Sequence, residues 1–346
     1  MDKVSVNDGN AAPVCIVGMH RSGTSLVARL LNACGLFLGR EEELIGPATD
    51  NPEGFWENLN FVGINEELLS RFGGSWDEPP ALPPRWEFGT EVEPLLGRAA
   101  ELVARFGNQS HWGWKDPRNS LTIPFWLRVI PSLKIVVCVR NPLEVAHSLF
   151  VRGNTTSAAQ FRLWLHYYRQ VLSAVPPSAR VVTHYQAYFE DVDAEVRRVS
   201  GLLGLEVSSE AAERARAQVS GSLRHHHVTT DALRDAGASD EVVELYLRLC
   251  DEAGPVCRRL LERESADETS GAARRDASDV YALQLMRMDN KLTRSEERLR
   301  ALEERYAGLE AQLHEVRAAL LPVMRLLDAL RALRARLLAP LRRGKS

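Results

Sequence analysis

The sequence predicts an α/β protein built on a mostly parallel sheet, and three observations carry that prediction. Short runs of β-branched and apolar residues alternate with segments of helical period from about residue 12 to residue 225. A glycine-bearing loop joins the first such run to the first helical segment. A heptad pattern is confined to the C-terminal residues, so a helical extension stands apart from the alternating part.

The elements follow in order. Val14–Met19 is a short apolar run, and Leu26–Ala33 has helical spacing. A stretch rich in Pro, Gly and Trp comes next. It contains Pro52-Glu53-Gly54-Phe55-Trp56-Glu57 and the span from Trp76 to Trp86, with a helix at Asn58–Leu69, and it predicts a wall or lid over the site. His111–Lys115 reads as a strand and Leu121–Val129 as a helix. Leu133–Arg140 is a buried strand and Leu143–Val151 a helix. Phe161, Trp164, Leu165, Tyr168, Val171 and Leu172 recur at helical spacing, Arg180–His184 is a further strand, and Ala194–Leu203 a helix. Residues 226–268 read as helices packed on this unit. Residues 12–264 therefore form one domain, with a polar linker at 265–278.

Residues 279–339 read as a coiled coil with a basic tail. Leu285, Leu292, Leu299, Tyr306, Leu313, Leu320 and Leu327 repeat every seven residues, and apolar positions three residues later complete most of a seam. Lys291, Arg298 and Arg305 at g positions would meet Glu296, Glu303 and Glu310 at the partner's e positions in a parallel homodimer, whereas an antiparallel pairing sets acid against acid. Pro322 should break or kink this helix. Beyond it, Met324–Leu341 is arginine-rich and amphipathic, a solvated helix end or a segment that touches a membrane surface.

Composition excludes several classes. The 346 residues carry a net charge of −3, which gives no general attraction to nucleic acid or an anionic membrane, so any anion site is local. Neither a secretory signal nor a bilayer-spanning run is evident, and the five cysteines lack zinc-ligand spacing. Buried free thiols in a cytoplasmic protein fit that pattern.

The chemistry is concentrated in Gly18-Met19-His20-Arg21-Ser22-Gly23-Thr24-Ser25, which follows a strand and opens a helix. Its glycine spacing is that of a P-loop, in which backbone amides and the helix N-terminus cradle an oxyanion. An ATPase loop places lysine at position 24, where this chain has Thr24, and the cation stands instead at Arg21. The buried strand that should end in a magnesium-binding acid ends in Arg140. Two separated cations without a metal acid suit a donor carrying phosphates at two places, such as 3'-phosphoadenylyl sulfate (PAPS).

In these motifs the chain resembles PAPS-dependent sulfotransferases, especially bacterial members, and some segments are similar to the protein-tyrosine sulfotransferases. The resemblance covers about residues 14–230. It implies that Arg21, Ser22, Gly23, Thr24 and Ser25 bind the 5'-phosphosulfate. Arg140-Asn141-Pro142 followed by Ser148 resembles the 3'-phosphate motif, so Arg140 and Ser148 would bind that phosphate. Trp114-Lys115-Asp116-Pro117-Arg118 is similar to a segment whose lysine lies beside the transferred sulfuryl group, and Tyr185 after a strand fits loosely. The expected reaction is in-line transfer to a hydroxyl or amine, of a carbohydrate or glycoconjugate by preference, with no metal. Arg21, Lys115 and the loop amides would stabilise the leaving oxygen, and a glutamate would act as base. Glu57 is the first choice for that base; Glu42, at the spacing of the tyrosine enzymes, and Glu53 are the others.

Several features stay open on sequence alone. Arg224 and His225-His226-His227 form a loop that closes over the donor or a plain surface loop; consecutive histidines splay apart and do not suit one metal ion. Trp56, Trp76 and Trp86 suit either acceptor contact or packing, whereas Trp126 and Trp164 fall on apolar helical faces. A nucleotide-dependent kinase on the related fold and a non-enzymatic dimerising module are the competing readings. Thr24 and Arg140 weigh against the first, and the intact set Arg21, Lys115, Arg140 and Ser148 against the second.

Overall fold

A computed structural model describes residues 12–48, 51, 53–150, 157–219, 228–269 and 277–338. The chain divides into two units, Met1–Met286 and Arg287–Ser346.

The first unit is built on four parallel strands, β1 (Val14–Val17), β2 (Gly113–Lys115), β3 (Lys134–Val139) and β4 (Arg180–His184), in the order β2-β1-β3-β4. Val14 to Val17 of β1 pair in register with Lys134 to Val137 of β3, and Val14 to Ile16 also pair with Gly113 to Lys115 of β2. All but the first residue of β3 and of β4 are buried, because both sheet faces are covered. Their side chains alternate between two cores. Cys15, Val17, Ile135, Val137 and Val139 enter one, and Val14, Ile16, Val136 and Cys138 the other.

Helix α1 (Thr24–Ala33) lies on the second face, where Leu26, Val27, Leu30 and Leu31 are buried. The first face receives α2 (Leu59–Arg71), α3 (Glu93–Ala104), α4 (Asn119–Val129), α5 (Pro142–Phe150) and α6 (Ser157–Ala174). After β4, a short helix α7 (Ala187–Glu190) leads to α8 (Val192–Leu203) and α9 (Ser209–Ala217), which join the second core. Helices α10 (Thr230–Asp235), α11 (Asp240–Glu252) and α12 (Pro255–Thr269) complete the unit.

The long insertion meets the expected wall in part, since Asn51, Glu53, Gly54, Phe55 and Glu57 line the cavity described below. Most of it is ordinary scaffold, because α3 buries Leu95, Ala99, Leu102 and Val103 in the first core. Trp86 is a core residue and Trp76 packs against that core, while Trp56 packs against the other. The expected linker also begins later than 265, since α12 continues to Thr269; residues 270–276 lie outside the described residues. All five cysteines are buried and free.

The C-terminal residues form helix α13 (Ala277–Leu338), which is continuous through Pro322. The expected break does not occur. Neighbouring side chains on this helix are exposed, so water can satisfy the carbonyl that a proline leaves without a donor. Seam residues Leu299, Leu302, Tyr306, Leu309, Leu313 and Val316 are all more than half exposed. No described helix is long and apolar enough to cross a membrane.

Candidate active site

Strand order locates the site. From β1 the chain first builds β2 on one side and then crosses to β3 on the other, so the carboxyl end of β1 is a topological switch point. The loop Gly18–Gly23 leaves the sheet there. Lys115 ends β2, Arg140 follows β3, and Tyr185 follows β4. These strand ends border a cavity of about 390 Å³, within the usual range of ligand sites.

The loop is held in a conformation that aims donors into this cavity. Arg21 has φ 71° and Gly23 φ 87°. A Cβ on Gly23 would lie 2.3 Å from the Tyr185 ring, so any larger residue would displace that ring or the loop. Val27 N–H donates to Gly23 O at 3.1 Å, which leaves the N–H groups of Thr24, Ser25 and Leu26 ahead of the first intrahelical bond. Ser22 is fully buried and its Oγ receives a hydrogen bond from Tyr168 Oη at 3.1 Å, so its side chain braces the loop from behind.

The two phosphate motifs, expected to stand apart, touch each other. Arg21 Nε donates to Ser148 Oγ at 2.8 Å, and Arg140 Nη1 donates to Arg21 O at 3.3 Å. Arg140 also pairs with Glu144 (2.6 Å), one turn along α5, and its guanidinium lies 4.4 Å from the centre of the Tyr185 ring. Loop, β3 end and β4 end thus form one continuous cationic wall. Arg21, Gly23, Thr24, Ser25, Arg140 and Tyr185 border the cavity, whereas Ser22 and Ser148 support it from outside its lining.

Opposite stands a buried ion pair. Lys115 Nζ lies 2.5 Å from Glu57 Oε1, and both residues line the cavity with Lys115 1% and Glu57 6% exposed. The other carboxylate oxygen, Glu57 Oε2, is buried without a hydrogen-bond partner. Burial raises the Glu57 carboxyl above the ordinary glutamate range; Lys115 opposes this by its charge and hydrogen bond, and Asp116 adds a smaller upward push. Local backbone explains the aim of the side chain. Gly54 (φ 84°) and Trp56 (φ 65°) both adopt left-handed conformations, and Trp56 Nε1 donates to Glu53 O at 3.0 Å. Asn58 then caps α2 by accepting from Asn60 N. A left-handed tryptophan costs free energy, and its position beside the cavity carboxylate matches the usual location of stored strain.

The three candidate glutamates stand in different surroundings. Glu42 sits on an exposed turn with its side chain 70% exposed and outside the cavity lining. Glu53 lines the cavity but is engaged by Arg29. Glu57 faces Lys115. The tryptophans do not line the cavity; its aromatic lining is His20, Phe55 and Tyr185, and the His20 ring packs 4.3 Å from that of Trp76. Arg224 and His225–His227 lie outside the described residues.

Arg29 was not singled out by the sequence. It is 6% exposed, lines the cavity, pairs with Glu53 and donates to Gln218 O at 2.9 Å. The available signal was its position one turn after Ser25, on the same face of α1.

Among the described residues, one buried group has metal-ligand atoms close together: the ligand atoms of His184, Cys250 and Cys257 lie within 4.8 Å of one another. Its chemistry does not suit a cation. His184 Nδ1 accepts from Gln186 N–H at 3.2 Å, which puts the ring proton on Nε2, beside Tyr246 Oη at 3.2 Å. Binding an ion through Nε2 would require a doubly deprotonated ring.

Residues 13–209, more than half of the chain, match the family model described as "Sulfotransferase family". The chain belongs to the sulfotransferase family. A Caenorhabditis briggsae protein named "Putative protein-tyrosine sulfotransferase" is 25% identical to this sulfotransferase over 230 residues, covering 62% of the present chain and 69% of that relative. Among solved structures, sulfotransferase STF1 from Mycobacterium tuberculosis H37Rv aligns with a TM-score of 0.45 at 14% identity, over 68% of this chain and 76% of its own. STF9 from Mycobacterium avium aligns with a TM-score of 0.44 at 14% identity, over 77% and 78%.

Proposed function

We propose that this sulfotransferase moves the sulfuryl group of PAPS to an acceptor hydroxyl or amine, by preference on a carbohydrate or glycoconjugate, with Glu57 as the base. The observation that carries the reading is the cavity itself, where a cationic oxyanion loop faces a buried Glu57–Lys115 pair. The Thr24–Leu26 amides and Arg21 receive the 5'-phosphosulfate and Arg140 the 3'-phosphate, which Ser148 reaches once its hydroxyl is released from Arg21. Two cationic positions answer two phosphates without a magnesium acid at the end of β3.

In the reaction the acceptor oxygen attacks sulfur on the side away from the phosphate. A new S–O bond forms as the bridging S–O bond breaks, and that electron pair leaves on the 5'-phosphate oxygen. Glu57 Oε2 takes the acceptor proton. Lys115 and Arg21 stabilise the charge that grows on the bridging oxygen, as oxyanion donors do. Glu57 suits its task because an aliphatic hydroxyl needs a base, and a raised carboxyl is a stronger one at neutral pH. The test is binding of phosphoadenosine 3',5'-bisphosphate without magnesium. Failure to bind it overturns the donor assignment.

The exposed apolar stripe of α13 is read as a parallel homodimer seam, supported by the g-to-e charge complementarity of Arg298 with Glu303 and Arg305 with Glu310. Arginine-rich residues at its end leave membrane-surface contact as a further role of the tail. A chain ending at Ala273 is expected to sediment as a monomer and still cleave PAPS, while the full chain sediments as a dimer. A monomeric full chain would remove the dimer from the account. The buried free thiols support a cytoplasmic location for the enzyme.

A further inference from the structure

The Glu57–Lys115 pair joins two elements that are far apart in sequence. Glu57 immediately precedes the cap of α2, and Lys115 is the last residue of β2. What fixes these elements against each other decides where the base sits.

Part of the contact is aromatic. Phe61 of α2 stacks on Trp114, the residue before Lys115, with ring centres 4.3 Å apart and planes 11° apart. Stacked rings hold a separation, but they resist sliding weakly. The contact that opposes sliding is polar. Asn65, one turn further along α2, is fully buried, and its amide is engaged on both sides. Nδ2 donates to Asp116 Oδ2 at 2.8 Å and to Asn119 Oδ1 at 3.0 Å. Oδ1 accepts from Thr122 Oγ1 and from Trp126 Nε1, each at 2.8 Å. Asp116 directly follows Lys115 and is also fully buried. Its other oxygen, Oδ1, accepts from Arg118 N and Arg118 Nη1, each at 3.0 Å. One oxygen of this carboxylate therefore organises its own turn, and the other reaches across to α2.

We propose that the Asn65–Asp116 hydrogen bond is the positioning contact of this site, setting the register of α2 against the end of β2 and so the place of the Glu57 carboxylate beside Lys115. The proposal rests on the reading of Glu57 as base. A buried carboxylate and amide are an expensive way to add stability, since well-packed apolar residues serve as well. Directional bonds specify position, and a 1 Å displacement of a reacting group costs about 100-fold in rate.

The test uses the full chain and follows cleavage of PAPS to the bisphosphate and inorganic sulfate with water as acceptor, so no acceptor need be known. Asn65→Asp is nearly isosteric and still accepts from Thr122 and Trp126, but it sets a carboxylate against Asp116. Turnover is expected to fall about 10- to 100-fold while affinity for the bisphosphate stays within about twofold. In the exchange variant N65D/D116N the donor and acceptor are reversed, with Asn119 left short of one donor. Turnover should recover to within about fivefold of the parent. A merely structural role would lower turnover and bisphosphate affinity together, and that result overturns the proposal, as does wild-type turnover in Asn65→Asp or no recovery in the exchange. If Asn65→Asp does not fold, Asn65→Ser, neutral and too short to reach Asp116, is read by the same split. Glu57→Gln measured in parallel separates the two ideas: full activity there removes the base assignment, whereas an inactive Glu57→Gln beside a fully active Asn65→Asp removes only the positioning.

Discussion

Glu57→Gln is expected to slow cleavage of PAPS about 100- to 10,000-fold, the range over which a general base contributes. Glutamine keeps an oxygen for Lys115 Nζ, so the 2.5 Å contact survives as a hydrogen bond and the cavity keeps its shape. What disappears is proton acceptance at Oε2, the buried oxygen without a partner. Bisphosphate affinity should therefore stay within about twofold, because Glu57 is on the acceptor side of the reaction. Single-turnover cleavage and calorimetry on the same preparation measure both quantities. Near-normal turnover would shift the base to Glu53, the other candidate glutamate at the cavity, and release from Arg29 would then have to accompany the reaction.

Lys115→Met is expected to lower turnover about 100- to 1000-fold, the usual cost of removing one oxyanion donor. It also carries a pH signature whose sign follows from the site. Burial pushes the Glu57 carboxyl up and Lys115 pulls it down. In the parent enzyme the acid limb of the kcat/KM profile should lie above the ordinary glutamate value of about 4.3. Without Lys115 the downward pull is gone, so the limb moves to still higher pH and less of the base is ionised at neutrality. Removing one partner of a buried pair costs about 3–5 kcal/mol when the other stays charged. Here Glu57 can take up a proton instead, so the loss of stability should shrink as pH falls. A profile that stays in place would show that Lys115 does not act on the base.

The chemistry of the donor side was legible in the sequence because it is local. Gly18 to Ser25 carry their message in consecutive residues, and Arg140 announces itself by standing where a metal acid would be. Strands β1 and β3 were legible because burial on both faces leaves apolar runs, and β4 because Val181, Val182 and Thr183 are β-branched. Helix α9 was not, since it buries Ala211, Ala212 and Ala215, which give little hydrophobic contrast. Helix α3 was hidden beside the Pro- and Trp-rich residues, although Leu95, Ala99 and Leu102 have helical spacing. The acceptor side is non-local. Glu57 and Lys115 are 58 positions apart, and Asn65 meets Asp116 across 51. No spacing rule joins such residues, so the sequence does not show that Glu57, and not Glu53 or Glu42, meets Lys115. Contact between Arg21 and Ser148, 127 positions apart, was invisible for the same reason.

The proposed donor binds without magnesium and through two phosphate sites. The most direct measurement is calorimetric titration of the wild type and Arg140→Ala with phosphoadenosine 3',5'-bisphosphate and with Mg-ADP. Bisphosphate should bind the wild type without magnesium and more tightly than Mg-ADP, and Arg140→Ala should weaken it about 10- to 100-fold, the worth of charge-assisted hydrogen bonds to one phosphate. Preference for Mg-ADP, or bisphosphate binding indifferent to Arg140, would contradict the assignment of this site.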